Sequence, residues 1–165
     1  MNRLPILTHP NTELRNIAEP FLVEEITSDE SQALFDDMIL TMVQARGIGI
    51  AGTQVNAHKR VFVGLLQRRT TVFINPEIIK SSIRKTASEE GCLSVPGAWG
   101  YVKRHRTVDV RFMNRTGHTE THRLFGLDAI VFQHELDHLN GVLFIDKAYK
   151  MIEAPDLEPH HDTAL

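Results

Sequence analysis

At 165 residues, with 42% hydrophobic and 24% charged residues, the chain has the length and composition of one ordinary folded domain with its own core. A net charge of −3 supplies no basic field for specific nucleic-acid binding or for anionic lipid. No apolar run approaches the ~18 residues that a membrane span needs, so no membrane partner is expected. The single cysteine, Cys92, cannot form an internal disulfide, which fits a thiol or thiolate in a reducing, cytoplasmic setting.

Residues 1–20 are punctuated by Pro5, Pro10 and Pro20 and read as an extended opening segment. Thr27 followed by Glu30 makes a capping-box pattern, and a helix is expected from there to about Ala45. Its apolar residues Leu34, Phe35, Met38, Ile39, Met42 and Val43 recur at helical spacing, which assigns that face to the core. The small-residue run Gly47-Ile48-Gly49-Ile50-Ala51-Gly52-Thr53-Gln54 follows. It lacks the Lys-Ser/Thr ending of a phosphate loop, so it reads as a loop against a ligand or as plain tight packing.

Arg60–Leu66 and Thr71–Asn75 read as two strands of a hairpin. Asn75-Pro76 then marks a turn before a further strand over Glu77–Lys85. Glu89–Ser94, leading into Pro96-Gly97, reads as a break in regular structure. Thr107–Asn114 and Thr119–Leu124, joined by Asn114-Arg115-Thr116-Gly117, form a second predicted hairpin. A short strand is expected over Val142–Ile145, and His160-His161 is read as part of a solvated tail.

Phe125–Asn140 carries the most informative pattern, a helix that is apolar around most of its circumference and therefore buried. Within it, His134-Glu135-Leu136-Asp137-His138 places two histidines four residues apart, about 6 Å along one helix face. Such a pair can bind one metal, with Glu135 close enough to handle a water beside it. A catalytic site of this kind needs a third protein ligand. The glutamates that would complete a thermolysin-like set, Glu153 and Glu158, lie in a proline-broken tail. In the metzincin pattern Gly141 matches the glycine, but Phe144 stands where the third histidine belongs. Cys92 remains, alongside His9, His58, His105, His118 and His122.

Three ordered blocks, GIGIAGTQ at 47–54, EGCLS at 90–94 and QHELDH at 133–138, resemble the peptide deformylases. These enzymes remove the N-formyl group from the initiator methionine of new polypeptides. The resemblance extends more loosely from LPILTHPNTELRNIAEP to LNGVLFID at 139–146. It implies that Cys92, His134 and His138 are the metal ligands, and that Glu135 is the general acid and base. It gives Gln54 and the Leu93 backbone N–H the oxyanion, and Gly47 and Gly49 the formyl group and peptide. Ile48, Leu127, Ile130 and Val131 are expected to line the methionine pocket, and Arg104 to stand near the mouth of the cleft.

The resemblance implies one divalent metal ion, Fe(II) natively, while zinc, nickel or cobalt also suits a Cys-His-His set. The partners it implies are formyl-methionyl nascent peptides and a transient ribosome contact. Family members dock through a long C-terminal helix, and no such pattern follows Asp146 here. Ile50 and Gly52 depart from the usual leucine and alanine, and Gly52 is expected to add backbone freedom beside Gln54. Glu90 is expected to anchor the loop before Cys92, and Asp137 to act behind the site or on the surface.

The expected architecture is α+β: antiparallel β-sheets packed around a central metal-binding HExxH helix, with an N-terminal helix. Residues 1–150 are expected to form a single peptide-deformylase-like catalytic domain, and 151–165 an irregular C-terminal tail. The rival readings are a metallopeptidase or other amidase using the same site, and a closed structural metal centre. Gln54 and the glycine loop favour catalysis, because a structural site needs neither.

Overall fold

The opening segment is tied down by its backbone, in a computed structural model that describes residues 1–153. Leu7 N–H donates to the Gln54 carbonyl at 2.8 Å and His9 N–H to the Ser94 carbonyl at 2.7 Å. A 3₁₀ turn over Thr12–Arg15 follows, with Asn11 Oδ1 accepting from Glu13 N–H. Helix α1 spans Val23–Ile26 and α2 spans Asp29–Gln44. The α2 cap is Ser28 rather than Thr27: Thr27 closes α1, and Ser28 Oγ accepts from Ser31 N–H at 3.2 Å. Phe35, Met38 and Met42 of α2 are buried against Ile50, Val61, Val63, Val72 and Ile74, the expected core face.

Eight strands are present among the described residues: β1 Gly49–Ala51, β2 Val61–Leu66, β3 Arg69–Ser81, β4 Lys85–Cys92, β5 Val95–His105, β6 Thr107–Met113, β7 Thr119–Phe125 and β8 Lys150–Ile152. They make two antiparallel sheets, ordered β1-β2-β3-β6-β7 and β4-β5-β8. Helix α3, Gly126–Leu139, packs on both. On one side Phe132 meets Phe62 and Phe73 edge-on at 5.2 and 5.5 Å between ring centroids. Aromatic burial of this kind supplies much of a core's stabilisation.

Four local expectations are corrected. Asn75-Pro76 is a bulge inside one long strand and not a turn between two. Asn75 takes φ 49°, its side chain bonds both backbone groups of Phe21 at 2.9 Å, and the β3–β6 register shifts between Ile74 and Glu77. A bulge also tolerates proline, which cannot donate to the ladder. Glu89–Gly97 is no break: Cys92 pairs with Val95 at the tip of the β4–β5 hairpin. Val142–Ile145 is not a strand; Phe144–Lys147 forms a short helix, α4, whose Asp146 accepts from Leu143 N–H at 2.8 Å. Finally, the tail expected to be irregular from residue 151 supplies β8, with Trp99 opposite Ile152 and Tyr101 opposite Lys150. His160-His161 lies outside the described residues. Among those described, no helix is long and apolar enough to cross a membrane.

Candidate active site

Helix α3 carries His134, Glu135 and His138 on adjacent turns, and the end of β4 brings Cys92 to them. Cys92 Sγ lies 3.1 Å from His138 Nε2, and one donor atom from each of Cys92, His134 and His138 falls within 4.8 Å of the others. His134 Nδ1 is taken by Glu90 Oε2 at 2.9 Å, which fixes the ring and leaves Nε2 for the site. Arg104 grips Glu90 in turn with two bonds of 2.8 Å and Asp137 with one of 2.5 Å, and Lys147 Nζ reaches Asp137 at 2.6 Å. Glu90 therefore does more than anchor a loop: its carboxylate orients a histidine.

The charges follow from these contacts. Burial pushes Glu90 up, but hydrogen bonds from Arg104 and His134 outweigh it and hold the carboxyl at about 2. Burial pulls His134 down, yet hydrogen bonds to Cys92 and Glu90 raise it to about 10. His138 is held well below its ordinary value by burial and by His134 beside it. Glu135 is pushed up to about 7, chiefly by burial. Two buried atoms, Glu135 Oε2 and His138 Nδ1, have no hydrogen-bond partner among the described residues. A thiol and two imidazoles converging beside an unpartnered carboxylate fit a divalent transition ion, whose ligands stand about 2.0–2.3 Å from it.

The glycine loop faces this centre. A Cβ on Gly49 would strike the Glu135 carboxylate, and one on Gly47 would lie 2.9 Å from Leu93 Cδ1. Gln54 is buried, its Oε1 accepting from Ala51 N–H at 2.8 Å. That bond turns Nε2 outward to Ser94 Oγ at 3.0 Å and Cys92 Sγ at 3.5 Å. Gly52 does not loosen this arrangement, as its sequence suggested. A Cβ there would lie 2.8 Å from the Lys59 carbonyl and 2.9 Å from that of Ala57, so glycine permits a close backbone approach.

A cleft of about 460 Å³ opens on the site. Of the residues picked from sequence, Gly47, Ile48, Gly49, Cys92, Leu93, Leu127, Ile130, Val131, His134 and Glu135 line it. Gln54 and His138 stand behind its wall. Arg104 does not stand at the mouth: it is 3% exposed, locked between Glu90 and Asp137. The resemblance implied the mouth, but two carboxylates distant in sequence neutralise the guanidinium inside. The sequence reading missed Trp99 and Ser88, which both border the cleft. No local sequence pattern marks Ser88, whose burial shows only in the folded strand β4.

Known proteins resemble this chain in sequence and in fold. The family model described as Polypeptide deformylase matches residues 3–153. Peptide deformylase 2 of Xanthomonas axonopodis pv. citri is 44% identical over 149 residues, 88% of this chain and 87% of that protein. The crystal structure of peptide deformylase from Thermotoga maritima superposes with a TM-score of 0.86 at 34% identity, over 90% of this chain and 99% of that one. A Met-Ala-Ser-bound class I type b peptide deformylase from Acinetobacter baumannii gives 0.84 at 35% identity, over 88% and 98%. With two thirds and more of its length matched at these identities, the chain belongs to the peptide deformylase family.

Proposed function

We propose that this chain hydrolyses the formyl amide at the amino terminus of formyl-methionyl polypeptides, releasing formate and a free amine, with Glu135 as its proton carrier. The observation that carries the reading is the buried, unpartnered Glu135 carboxyl beside the Cys92-His134-His138 cluster, at the floor of a cleft with apolar walls. A carboxyl raised to about 7 is matched to taking and returning a proton near neutrality. Glu135 accepts a proton from water as its oxygen attacks the formyl carbon, then gives it to the nitrogen as the C–N bond breaks. In this reading the Gln54 carboxamide, whose Nε2 reaches Cys92 Sγ, and the Leu93 backbone N–H donate to the carbonyl oxygen as charge develops there.

The ligands in this reading are Cys92, His134 and His138, and the ion they hold supplies Lewis-acid polarisation of the carbonyl and acidification of the attacking water. We assign Fe(II) as the native ion on the family resemblance, since the donor set itself also suits zinc, nickel or cobalt. Gly47 and Gly49 leave room for the formyl group and the peptide backbone, while Ile48, Leu127, Ile130 and Val131 receive the methionine side chain. Residues 1–150 form the catalytic unit in this proposal, in the cytoplasm, where formylated chains emerge from the ribosome and a transient contact suffices.

Formate release from formyl-Met-Ala-Ser by anaerobically Fe(II)-loaded protein is the test. Release with Met-Ala-Ser left intact is expected. Fully metallated protein that releases no formate would sink the reading, and cleavage of Met-Ala-Ser would turn it towards a metallopeptidase.

A further inference from the structure

Helix α3 and strand β4 run side by side in a regular ladder. Cys92 meets His138, and two residues back on the strand Glu90 meets His134, four residues back on the helix. Two strand residues advance about 6.6 Å and four helix residues about 6 Å, so the register holds from rung to rung. The next rung places Ser88 opposite Ile130 and Val131, and all three border the cleft. One further on, Thr86 joins Gly126 and Leu127 along the adjoining groove.

The rungs differ in chemistry. At the first two every strand side chain has a polar partner on the helix. At the third, Ser88 is 6% exposed and shares the cleft wall with the hydrocarbon side chains of Ile130 and Val131. Its backbone pairs with Val102 in the sheet, while its hydroxyl makes no hydrogen bond to any described residue. The alternation along β4, with Ala87 and Glu89 exposed and Ser88 and Glu90 buried, aims that hydroxyl at α3.

We propose that the Ser88 hydroxyl is a hydrogen-bond donor inside the first-residue pocket. It selects side chains carrying an acceptor, the methionine sulfur or its sulfoxide oxygen, over an all-carbon chain of equal length. This rests on the deformylase reading above. One rung, about 6 Å, is the reach of an unbranched side chain of four heavy atoms from the reacting centre. Ser88 Oγ is open to the cleft and is not among the enclosed unpartnered atoms, so an acceptor arriving there takes the place of the water it meets. A hydrocarbon leaves it stranded, and a site built to hydrogen-bond discriminates against the analogue that cannot. The sulfoxide, a stronger acceptor than a thioether, is therefore a substrate and not an excluded lesion.

The test compares formyl-Met-Ala-Ser, formyl-norleucyl-Ala-Ser and formyl-methionine-sulfoxide-Ala-Ser on metal-loaded wild type, Ser88→Ala and Ser88→Thr. Wild type is expected to prefer methionine over norleucine by about three- to tenfold in kcat/KM. Ser88→Ala brings that ratio near one by raising KM for methionine, and loses the sulfoxide most; Ser88→Thr retains the preference. Calorimetric binding of Met-Ala-Ser and norleucyl-Ala-Ser follows the same pattern without turnover. An unchanged ratio in an active Ser88→Ala enzyme overturns the role of Ser88 alone. No formate from any of the three peptides overturns the deformylase reading with it.

Discussion

The two faces of α3 are held by different physics. One presents Ala129, Phe132 and Leu139 to the aromatic core around Phe62 and Phe73, where contact is non-directional and any well-shaped hydrocarbon contributes. The other presents His134, Asp137 and His138 to β4 and β5, where directional bonds dominate and their chain runs from Lys147 through Asp137, Arg104 and Glu90 to His134. The lesson is a division of labour within fourteen residues. The apolar face fixes where the helix lies; the polar face fixes how its histidines are turned.

The sharpest way to break that comparison is at the reacting centre. Cys92→Ala should abolish stoichiometric metal binding and with it turnover; undiminished metal content would mean another third ligand. Glu135→Gln should keep its metal while losing about 10²–10⁴-fold in turnover, measured as formate release against metal content. Near-normal turnover would remove Glu135 from the mechanism.

The next pair puts the same new side chain against the polar face, from β5, and on the apolar face itself. Arg104→Met leaves Glu90 and Asp137 uncompensated inside the protein and should cost about 3–5 kcal/mol in urea unfolding. Metal affinity should fall about 10–100-fold as Glu90 releases His134. Leu139→Met conserves volume in the aromatic core and should cost less than about 1.5 kcal/mol with metal affinity unchanged. Equal costs at the two positions would erase the distinction.

A smaller effect sits beyond the end of α3, in α4. Asp146 lies below the ordinary carboxylate range because Arg15 bonds it, with Leu143 N–H adding to the effect. A folded carboxyl lowered in this way stabilises fully at neutral pH, and its contribution drains as pH falls through its lowered value. Asp146 is 39% exposed, so screening limits the contribution to about 0–1 kcal/mol. Melting curves of wild type and Asp146→Asn should converge on acidification.

Legibility in the sequence followed the same division. The apolar stripes of α2 and α3 repeat with the helical period, so both helices and the metal pair were visible from local spacing. The β4–β5 hairpin was not, because Gly91, Ser94, Pro96 and Gly97 interrupt the alternation that marks a strand. Cys92 was singled out as the candidate third ligand only through the three-block resemblance, since six residues competed for that role on chemistry alone. Arg104 was misplaced because its partners stand 14 and 33 residues away, a separation that no local pattern encodes. Gly52 looked like added freedom because the carbonyls pressing on it belong to another loop.

The opening segment has a practical consequence for anyone engineering this chain. Leu7 and His9 lend their amides to the carbonyls of Gln54 and Ser94, in the two loops that carry the oxyanion donors proposed above. The first ten residues thus act as a suture across those loops. Trimming them to tidy an expression product would unstitch the reaction centre from a distance, while a tag added ahead of the exposed Met1 leaves the stitches in place.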